Sequence, residues 1–354
     1  KVTFIGDEDA IARANIHLRT TERILLEVGS FRAVTFDELF EAVKALPWEE
    51  YLPEDAKFWV AKASSVSSAL FSPRDIQKIV KKAMVERMKK TYHRDIFPET
   101  GPSYPLRISI VKDEVTIGID TTGESLHKRG YRKLTAPAPL SETLAAALIL
   151  HSPWKYDRVL VDPFCGSGTI IIEAAMIARR IAPGLSRDFL AMEWDAEYAP
   201  YASFAKEKKR AEDQVIRGDM ELSIAGYDID DDVLYMAREN AKLAGVEDDI
   251  HFQRRDVADF SSPKKYGFVI TNPPYGERLA KSDDLSLLYE TIGQKIAADD
   301  TWSWFILSGY ADTEKHIRKK VTKRRKIYNG MMKTYLYQYM GKKPRRRVSK
   351  GEAL

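Results

Sequence analysis

The chain has 354 residues, 44% of them hydrophobic, which excludes a disordered, collagenous or disulfide-rich protein and indicates two globular domains. The single cysteine, Cys165, favours a reducing, cytoplasmic compartment, and no apolar stretch approaches the roughly 18 residues that a membrane span needs. The formal net charge is only +4, but residues 315–350 hold 15 Lys or Arg and no Asp or Glu, which favours a polyanionic partner over a solubilising tail.

Up to about residue 130, short alternating strands are mixed with amphipathic helices. Strands are predicted at 106–111 and 114–119, joined by a turn at Lys112 and Asp113, and helices at 37–45 and 73–90. This mixture predicts a compact α+β module.

Beyond residue 130, apolar strands alternate with helices. The predicted strands are 158–162, 222–228, 250–256, 268–272 and 302–308, and the predicted helices are 168–181, 231–244 and 284–297. Such alternation predicts an α/β fold with a mostly parallel, doubly wound sheet. Residues 182–221 lie outside this alternation, have a polar helical middle, and are given no role by the sequence.

A polar residue ends each of four successive predicted strands: Asp162, Asp228, Asp256 and Asn272. Any one of these aspartates could be a helix cap. In a doubly wound sheet, however, ligands bind outside the carboxyl ends of the strands. Four polar ends in succession therefore predict a binding site at that edge.

The first of these strands runs into a glycine-containing loop, DPFCGSGT. Gly166 and Gly168 allow a ligand close to the backbone, and the following helix presents free amide groups. The spacing matches neither of the two common phosphate-binding glycine motifs, so the carboxylate of an amino acid fits the amides better than a pyrophosphate. Asp228 is placed to accept from a ribose diol and Asp256 from an adenine amino group.

Amino acid, ribose and adenine together indicate S-adenosylmethionine. The residues expected to contact it are Asp162, Phe164, Cys165, Gly166, Gly168, Thr169, Asp228, Ile229, Asp256, Val257 and Asn272. Cys165 is expected to have a packing or backbone role there, rather than that of a nucleophile. The six histidines lack metal-ligand spacing, so no metal is expected.

The fourth strand ends in the predicted catalytic residues, Asn272, Pro273, Pro274 and Tyr275. The Asn272 side-chain oxygen and the Pro273 carbonyl can accept the two hydrogens of a planar NH₂ group, which favours a pyramidal nitrogen with a localised lone pair. The prolines stiffen the turn, and Tyr275 offers a ring for stacking on a flat base. This chemistry alone leaves adenine, cytosine, guanine and a glutamine amide open.

The segments DPFCGSGT and NPPYGERL resemble the Rossmann-like class I methyltransferases that modify exocyclic amines. The segments GESLHKRGYR and APLSETLAAALI narrow the resemblance to the THUMP-containing guanine-N2 methyltransferases of large-subunit (23S) ribosomal RNA. The resemblance implies an RNA-binding THUMP, ferredoxin-like region at 1–128 and a methyltransferase domain, with an antiparallel final strand and a basic tail, at 129–354. Family members begin with a further ferredoxin-like segment, so we expect Lys1 to lie inside a domain.

The same resemblance implies RNA contacts. Phosphate contacts are expected from Lys78, Lys81, Lys82 and Lys89, although a solvated helix face would have the same sequence. Lys128, Arg129 and Arg132 are expected either to touch RNA or to hold the two domains together. Glu277 is expected to accept from guanine N1–H, unless it forms a surface pair with Arg278.

The predicted activity is methyl transfer from S-adenosylmethionine to the N2 amine of a guanine in 23S ribosomal RNA, leaving S-adenosylhomocysteine. Three alternatives stay open. They are an adenine-N6 methyltransferase acting on RNA or DNA, a glutamine methyltransferase acting on a protein, and a non-catalytic RNA-binding assembly factor.

Overall fold

The computed structural model describes residues 1–134, 139–194, 196, 198–275 and 282–344, with the side chains of 282 and 283 excepted. The chain forms two compact units. The first contains residues 1–126 and 184–213, and the second contains residues 127–183 and 214–354. No helix in the described ranges is long and apolar enough to cross a membrane.

The first unit is built on a four-stranded sheet. Its contiguous part contains α1 (Ala10–His17), β1 (Leu25–Arg32), α2 (Phe36–Ala45), β2 (Lys57–Val66), α3 (Pro73–Tyr92), β3 (Ser103–Val111) and β4 (Glu114–Asp120). The strand order is β1-β4-β3-β2, with β2 parallel to β3 and the other pairs antiparallel. Ser72 caps α3, and Pro73 is its first residue. The buried residues of α3 recur every three to four positions, which is the apolar pattern from which the helix was predicted.

The rest of the chain contains α4 (Glu142–His151), β5 (Leu160–Asp162), α5 (Thr169–Ala178), α6 (Tyr201–Asp213), β6 (Ile224–Asp228), α7 (Asp231–Leu243), β7 (Ile250–Arg254), β8 (Phe268–Thr271), α8 (Ser282–Ala298), β9 (Ser303–Ser308), α9 (Thr313–Ile317), β10 (Lys323–Asn329) and β11 (Met332–Tyr339). All of these elements except α6 belong to the second unit.

A seven-stranded sheet organises the second unit, in the order β10-β11-β9-β8-β5-β6-β7. Strands β5 to β9 are parallel, and β11 is antiparallel to both β9 and β10. Successive residues of one strand enter different apolar clusters: Leu160 joins one and Val161 the other. The sheet is thus covered on both faces, as a doubly wound sheet requires, and the predicted fold class with its antiparallel final strand is confirmed.

Helix α6 corrects the sequence-based division of the chain. A boundary at 128/129 assigned residues 184–213 to the second domain, but this segment packs with the first unit. Glu207 of α6 is fully buried and lies 3.4 Å from the Arg13 guanidinium, while Ser203 donates to Asp9 at 2.6 Å. The polar face of α6 is therefore matched by charged side chains of α1 and of its N-cap residue, Asp9.

The basic C-terminal region is also more structured than a tail. Residues 323–339 form the β10–β11 hairpin at one edge of the large sheet, with Asn329 and Gly330 at its tip. Gly330 has φ +61°, a left-handed conformation that suits a glycine in a tight hairpin turn. The basic residues within 345–350, which were predicted to favour a polyanionic partner, lie outside the described residues.

Candidate active site

Four parallel strands carry the predicted polar residues to one edge of the sheet. The strands β7, β6, β5 and β8 are consecutive neighbours, so Asp256, Asp228, Asp162 and Asn272 follow one another along their carboxyl ends. At the usual spacing of about 4.8 Å between strands, this row is roughly 15 Å long. The fold thus brings together the residues that the sequence singled out.

The glycine loop is held against the end of β6. The Gly166 amide donates to the Asp228 carboxylate at 3.0 Å, and the Cys165 amide donates to the Tyr227 carbonyl at 2.9 Å. Gly166 has φ +50°, and a Cβ placed on it would meet no heavy atom within 4 Å among the described residues. The backbone at Gly166 therefore faces open space through which a ligand can approach.

Helix α5 begins directly after the loop and leaves its first amides available. Gly168 is the N-cap residue and supplies no side-chain cap. The Arg132 guanidinium donates to the Thr169 hydroxyl at 2.7 Å, in the first turn. Free first-turn amides together with a nearby guanidinium suit a carboxylate, as the sequence predicted for the amino-acid end of the cofactor.

The carboxylates at the ends of β6 and β7 differ in exposure. Asp228 is half-buried, accepts backbone hydrogen bonds from Gly166 and Asp230, and has a pKa raised by burial. Asp256 is exposed and caps a short helical turn by accepting from the Ala258 amide at 2.8 Å. Each carboxylate has further acceptor capacity for a ligand hydroxyl or amine.

The residues next to these two carboxylates are placed differently from each other. The Ile229 side chain is 63% exposed beside the loop, whereas Val257 is buried in an apolar cluster. Only Ile229 therefore offers its side chain to a ligand in this arrangement.

Asp162 connects the glycine loop to the turn that follows β8. Its carboxylate is buried and accepts from the Thr271 hydroxyl at 2.6 Å and from the Phe164 amide at 3.1 Å. Burial raises the pKa of Asp162 to about 7. Because Thr271 immediately precedes Asn272, this hydrogen bond ties the end of β8 to the end of β5.

Cys165 is buried beneath the loop. A Cβ on Gly226 would lie 3.1 Å from the Cys165 sulfur, so the thiol packs against the β6 backbone. Burial also raises the pKa of the thiol well above its usual range, which keeps it protonated. Both facts favour the packing role over that of a nucleophile.

The turn after β8 contains a buried polar atom that lacks a partner in the described part of the chain. The Asn272 Oδ1 is buried and has no hydrogen-bond partner among the residues that the structure describes. The carbonyl of Pro274 accepts from the Tyr289 hydroxyl at 3.3 Å, which fixes the turn from the α8 side. A buried acceptor without a donor costs about 1–3 kcal/mol, so the position suits a donor supplied by a ligand.

Tyr275 is only 7% exposed, and its hydroxyl accepts from the Asn329 side chain at 3.0 Å. Its expected stacking on a base stays a prediction. Asn329, Tyr289 and Thr271 were not predicted from the sequence. For Asn329 a signal existed, since Asn-Gly between apolar residues is the commonest mark of a tight hairpin. Tyr289 and Thr271 carry no local signal.

Arg129 and Arg132, predicted either to touch RNA or to hold the two domains together, form ion pairs within the second unit. The Arg129 side chain is 1% exposed and lies 3.3 Å from the buried Glu173 carboxylate of α5. Arg132 is 11% exposed and lies 3.3 Å from Glu142 of α4, in addition to its bond to Thr169. Both arginines therefore anchor the GESLHKRGYR segment to the helices beside the glycine loop. Lys128 is exposed.

In the first unit, the lysines of α3 also differ from one another. Lys78 and Lys82 are exposed. Lys81 donates to the Phe58 carbonyl and pairs with Glu99 at 3.5 Å, and burial lowers its pKa. Lys89 pairs with Asp95 at 3.5 Å. Lys78 and Lys82 are thus better placed than Lys81 for the predicted phosphate contacts, which stay predictions.

Glu277 and Arg278 lie outside the described residues. Within the described ranges, no group of three or more His, Cys, Asp or Glu side chains is arranged to hold a metal ion.

Three parts of the chain match known domain families. Residues 129–338 match the family described as RMKL-like, methyltransferase domain, residues 33–120 match the THUMP domain, and residues 1–25 match the RlmL ferredoxin-like domain. The YpsC protein of Bacillus subtilis, named as an RNA methyltransferase of unproven activity, is 45% identical over 350 residues, which cover 98% of this chain and 90% of that protein. The ribosomal RNA large subunit methyltransferase K/L of Syntrophotalea carbinolica is 34% identical over 95% of this chain, which spans only 48% of that relative.

Two solved structures match nearly the whole length of this chain. SMU.472, a protein assigned as a methyltransferase, was solved in complex with SAH. It has a TM-score of 0.88 and 44% identity, and the match covers 96% of this chain and 89% of that one. A Listeria monocytogenes protein named as a predicted N6-adenine-specific DNA methylase has a TM-score of 0.88 and 48% identity, covering 95% and 87%. The chain therefore belongs to the RMKL-like methyltransferase family and carries a THUMP domain before its methyltransferase domain.

Proposed function

We propose that this protein transfers the methyl group of S-adenosylmethionine to the exocyclic N2 amine of a guanine in large-subunit ribosomal RNA, releasing S-adenosylhomocysteine. One observation carries the amine chemistry: the Asn272 Oδ1 is buried at the carboxyl end of β8 and has no donor among the described residues. An NH₂ group of the substrate supplies the missing donor.

The cofactor fits the other part of the same edge. The open backbone at Gly166 and the first amides of α5 receive its amino-acid end, while Asp228 and Asp256 accept from its ribose and adenine. SAH bound to the related SMU.472 supports this assignment. S-adenosylmethionine supplies an activated methyl group, which leaves positioning as the main task of the protein.

The turn residues do that positioning. Asn272 and the Pro273 carbonyl accept the two amine hydrogens, so that the nitrogen becomes pyramidal and its lone pair points toward the methyl carbon. Holding these two atoms about 3–3.5 Å apart and in line lowers the barrier by several kcal/mol. The methylated nitrogen is a strong acid and loses its proton to water, so this chain needs no catalytic base.

RNA as the substrate class is supported by the family and by the THUMP domain. Ribosomal RNA of the large subunit is supported by the name of the K/L relative, of which this chain spans about half. The choice of guanine rests on the resemblance noted in the sequence and on Glu277, which lies outside the described residues. The name of the Listeria relative favours adenine instead, and the turn geometry accommodates either amine.

Nucleoside analysis of methylated RNA distinguishes these substrates. Ribosomal RNA from a strain lacking the protein is incubated with the purified enzyme and methyl-labelled S-adenosylmethionine, then digested to nucleosides, with Asn272→Ala as the matched control. Label in N2-methylguanosine is expected. Label only in methyladenosine would overturn the guanine assignment, and cofactor binding without any transfer would favour the assembly factor.

A further inference from the structure

The β10–β11 hairpin projects past the sheet edge that carries the site. Tyr335 of β11 is paired with Ser308, the last residue of β9, so residues 332–334 extend beyond the carboxyl end of β9. Three residues of strand measure roughly 10 Å. Because β8 and β9 are parallel, the hairpin tip lies at the same edge as the turn that follows β8.

The tip is joined to the catalytic turn by direct contacts. The Asn329 side chain donates to the Tyr275 hydroxyl at 3.0 Å. A Cβ on Gly309 would lie 2.9 Å from the Tyr275 ring and 3.5 Å from the Met332 sulfur, so both side chains flank the same backbone position. The hairpin tip therefore lies beside the turn after β8, where the target amine binds in the proposed reaction.

One face of the hairpin combines cations with aromatic rings. Residues 323–333 include five Lys or Arg and no Asp or Glu. The Lys326 ammonium lies 5.0 Å from the centroid of the Tyr328 ring, and Lys333 lies 5.4 Å from that of Tyr335. Lys326 is paired with Tyr335, and side chains two residues apart on a strand point to the same side. These four side chains therefore lie on one side of the hairpin, which we call the basic-aromatic face. Tyr328 is 58% exposed.

We propose that the basic-aromatic face binds the single-stranded RNA that flanks the target base. Proteins that bind single strands combine cations for the phosphates with aromatic rings on which bases stack. Lys326 and Lys333 would neutralise phosphates while Tyr328 stacks on a base next to the hairpin tip, whose Asn329 contacts Tyr275 of the proposed catalytic turn. The choice of RNA as the ligand rests on the proposed function. The binding measurement that tests the inference does not require methyl transfer.

Binding of a fluorescein-labelled, 20-nucleotide, single-stranded RNA of mixed sequence tests the proposal on the full chain. Removing both lysines (Lys326→Ala with Lys333→Ala) should lower the slope of log affinity against log salt by about 1.4, since each phosphate contact to a single strand contributes about 0.7. Tyr328→Ala should weaken binding at least about fivefold, the lower bound for loss of a stacked base.

A matched control removes the same charge elsewhere. Lys242 and Lys295 lie near the carboxyl ends of α7 and α8, at the opposite edge of the sheet because these helices run against the parallel strands. Changing both to Ala should leave the salt slope as in the wild type. If the Lys326/Lys333 variant has the same salt slope as this control, or Tyr328→Ala binds as tightly as the wild type, the proposal is wrong.

The same proteins separate this proposal from the proposed function. Weakened RNA binding in the hairpin variants, with no methyl transfer by the wild type, would support the binding face and overturn the reaction. Methyl transfer by the wild type, with RNA binding unchanged in the hairpin variants, would do the reverse.

Discussion

The two halves of the proposed active site are prepared in opposite ways. On the cofactor side, the Asp162 and Asp228 carboxylates already accept hydrogen bonds from the protein, and the glycine loop is fixed to β6. On the amine side, the Asn272 Oδ1 is buried without a partner among the described residues. The first half already has its hydrogen bonds within the protein, whereas the second leaves an acceptor open for the amine in the proposed reaction.

The largest expected effect comes from breaking the amine half. Asn272→Ala should lower the methyl-transfer rate constant at least about 100-fold, by analogy with the loss of one transition-state hydrogen bond in other enzymes. Cofactor affinity should stay within about twofold, because the lost contact acts mainly in the transition state. Single-turnover kinetics and titration calorimetry measure the two quantities.

Asn272→Asp is the matched control for that prediction. It keeps an acceptor at the same place and should lose much less activity than Asn272→Ala. Equal losses in the two variants would show that the oxygen of Asn272 is not what the reaction needs.

Breaking the cofactor half should give the reverse pattern. Asp228→Ala should weaken S-adenosylmethionine binding at least about tenfold, or 1.4 kcal/mol, with little change in the rate constant at saturating cofactor. Asp230→Ala is the control, since Asp230 caps α7 and is not expected to contact the cofactor. If both variants bind the cofactor as the wild type does, Asp228 has no role in holding it.

A pH experiment sharpens the comparison at the junction of the two halves. Burial raises the pKa of Asp162 to about 7, above its value of 3.8 when unfolded. The folded state therefore holds the proton more tightly, and this carboxyl lowers stability as the pH rises from about 4 to 7, by up to about 1.4 kcal/mol per pH unit. Asp162→Asn should flatten the dependence of the unfolding free energy on pH, measured by urea denaturation without cofactor. Parallel curves for the two proteins would contradict this.

The smallest expected effect concerns the support of the amine half. Asn329→Ala removes one hydrogen bond to Tyr275, worth about 1 kcal/mol. The methyl-transfer rate on RNA should fall about fivefold, and cofactor affinity should not change. Tyr275→Phe removes the same bond from the other side, so its rate should fall by a similar factor; an unaffected rate in both variants would exclude a positioning role.

The sequence predicted those parts of the fold that depend on local pattern. Apolar strands alternating with helices are enough for the doubly wound sheet, and parallel strands necessarily bring Asp162, Asp228 and Asn272 to one edge. Two glycines with positive φ in the loop also follow from local chemistry. The hydrogen bonds from Thr271 to Asp162 and from Gly166 to Asp228 could not be predicted, because their donors lie far along the chain from the carboxylates.

Other parts depend on partners far along the chain. The polar pattern of α6 identifies a helix but not the side chains of α1 that bury Glu207. Arg129 has the charge of an RNA contact, and only the position of Glu173 shows that it faces inward. The hairpin was not predicted because its run of Lys and Arg at 323–326 was interpreted as part of a basic tail. Asn329 and Gly330 nevertheless mark a turn between two strands.

The placement of α6 has a consequence for dissecting the molecule. The chain passes from one unit to the other three times, near residues 126, 183 and 213. A fragment that stops at residue 128 contains α1 but not the helix that packs on it, so Arg13 and His17 lose their contact with Glu207. A fragment that starts at residue 129 carries α6 with Glu207 and Phe204 uncovered. Separate domains of this protein are therefore obtained by excising residues 184–213 and linking them to the first unit, rather than by a single cut.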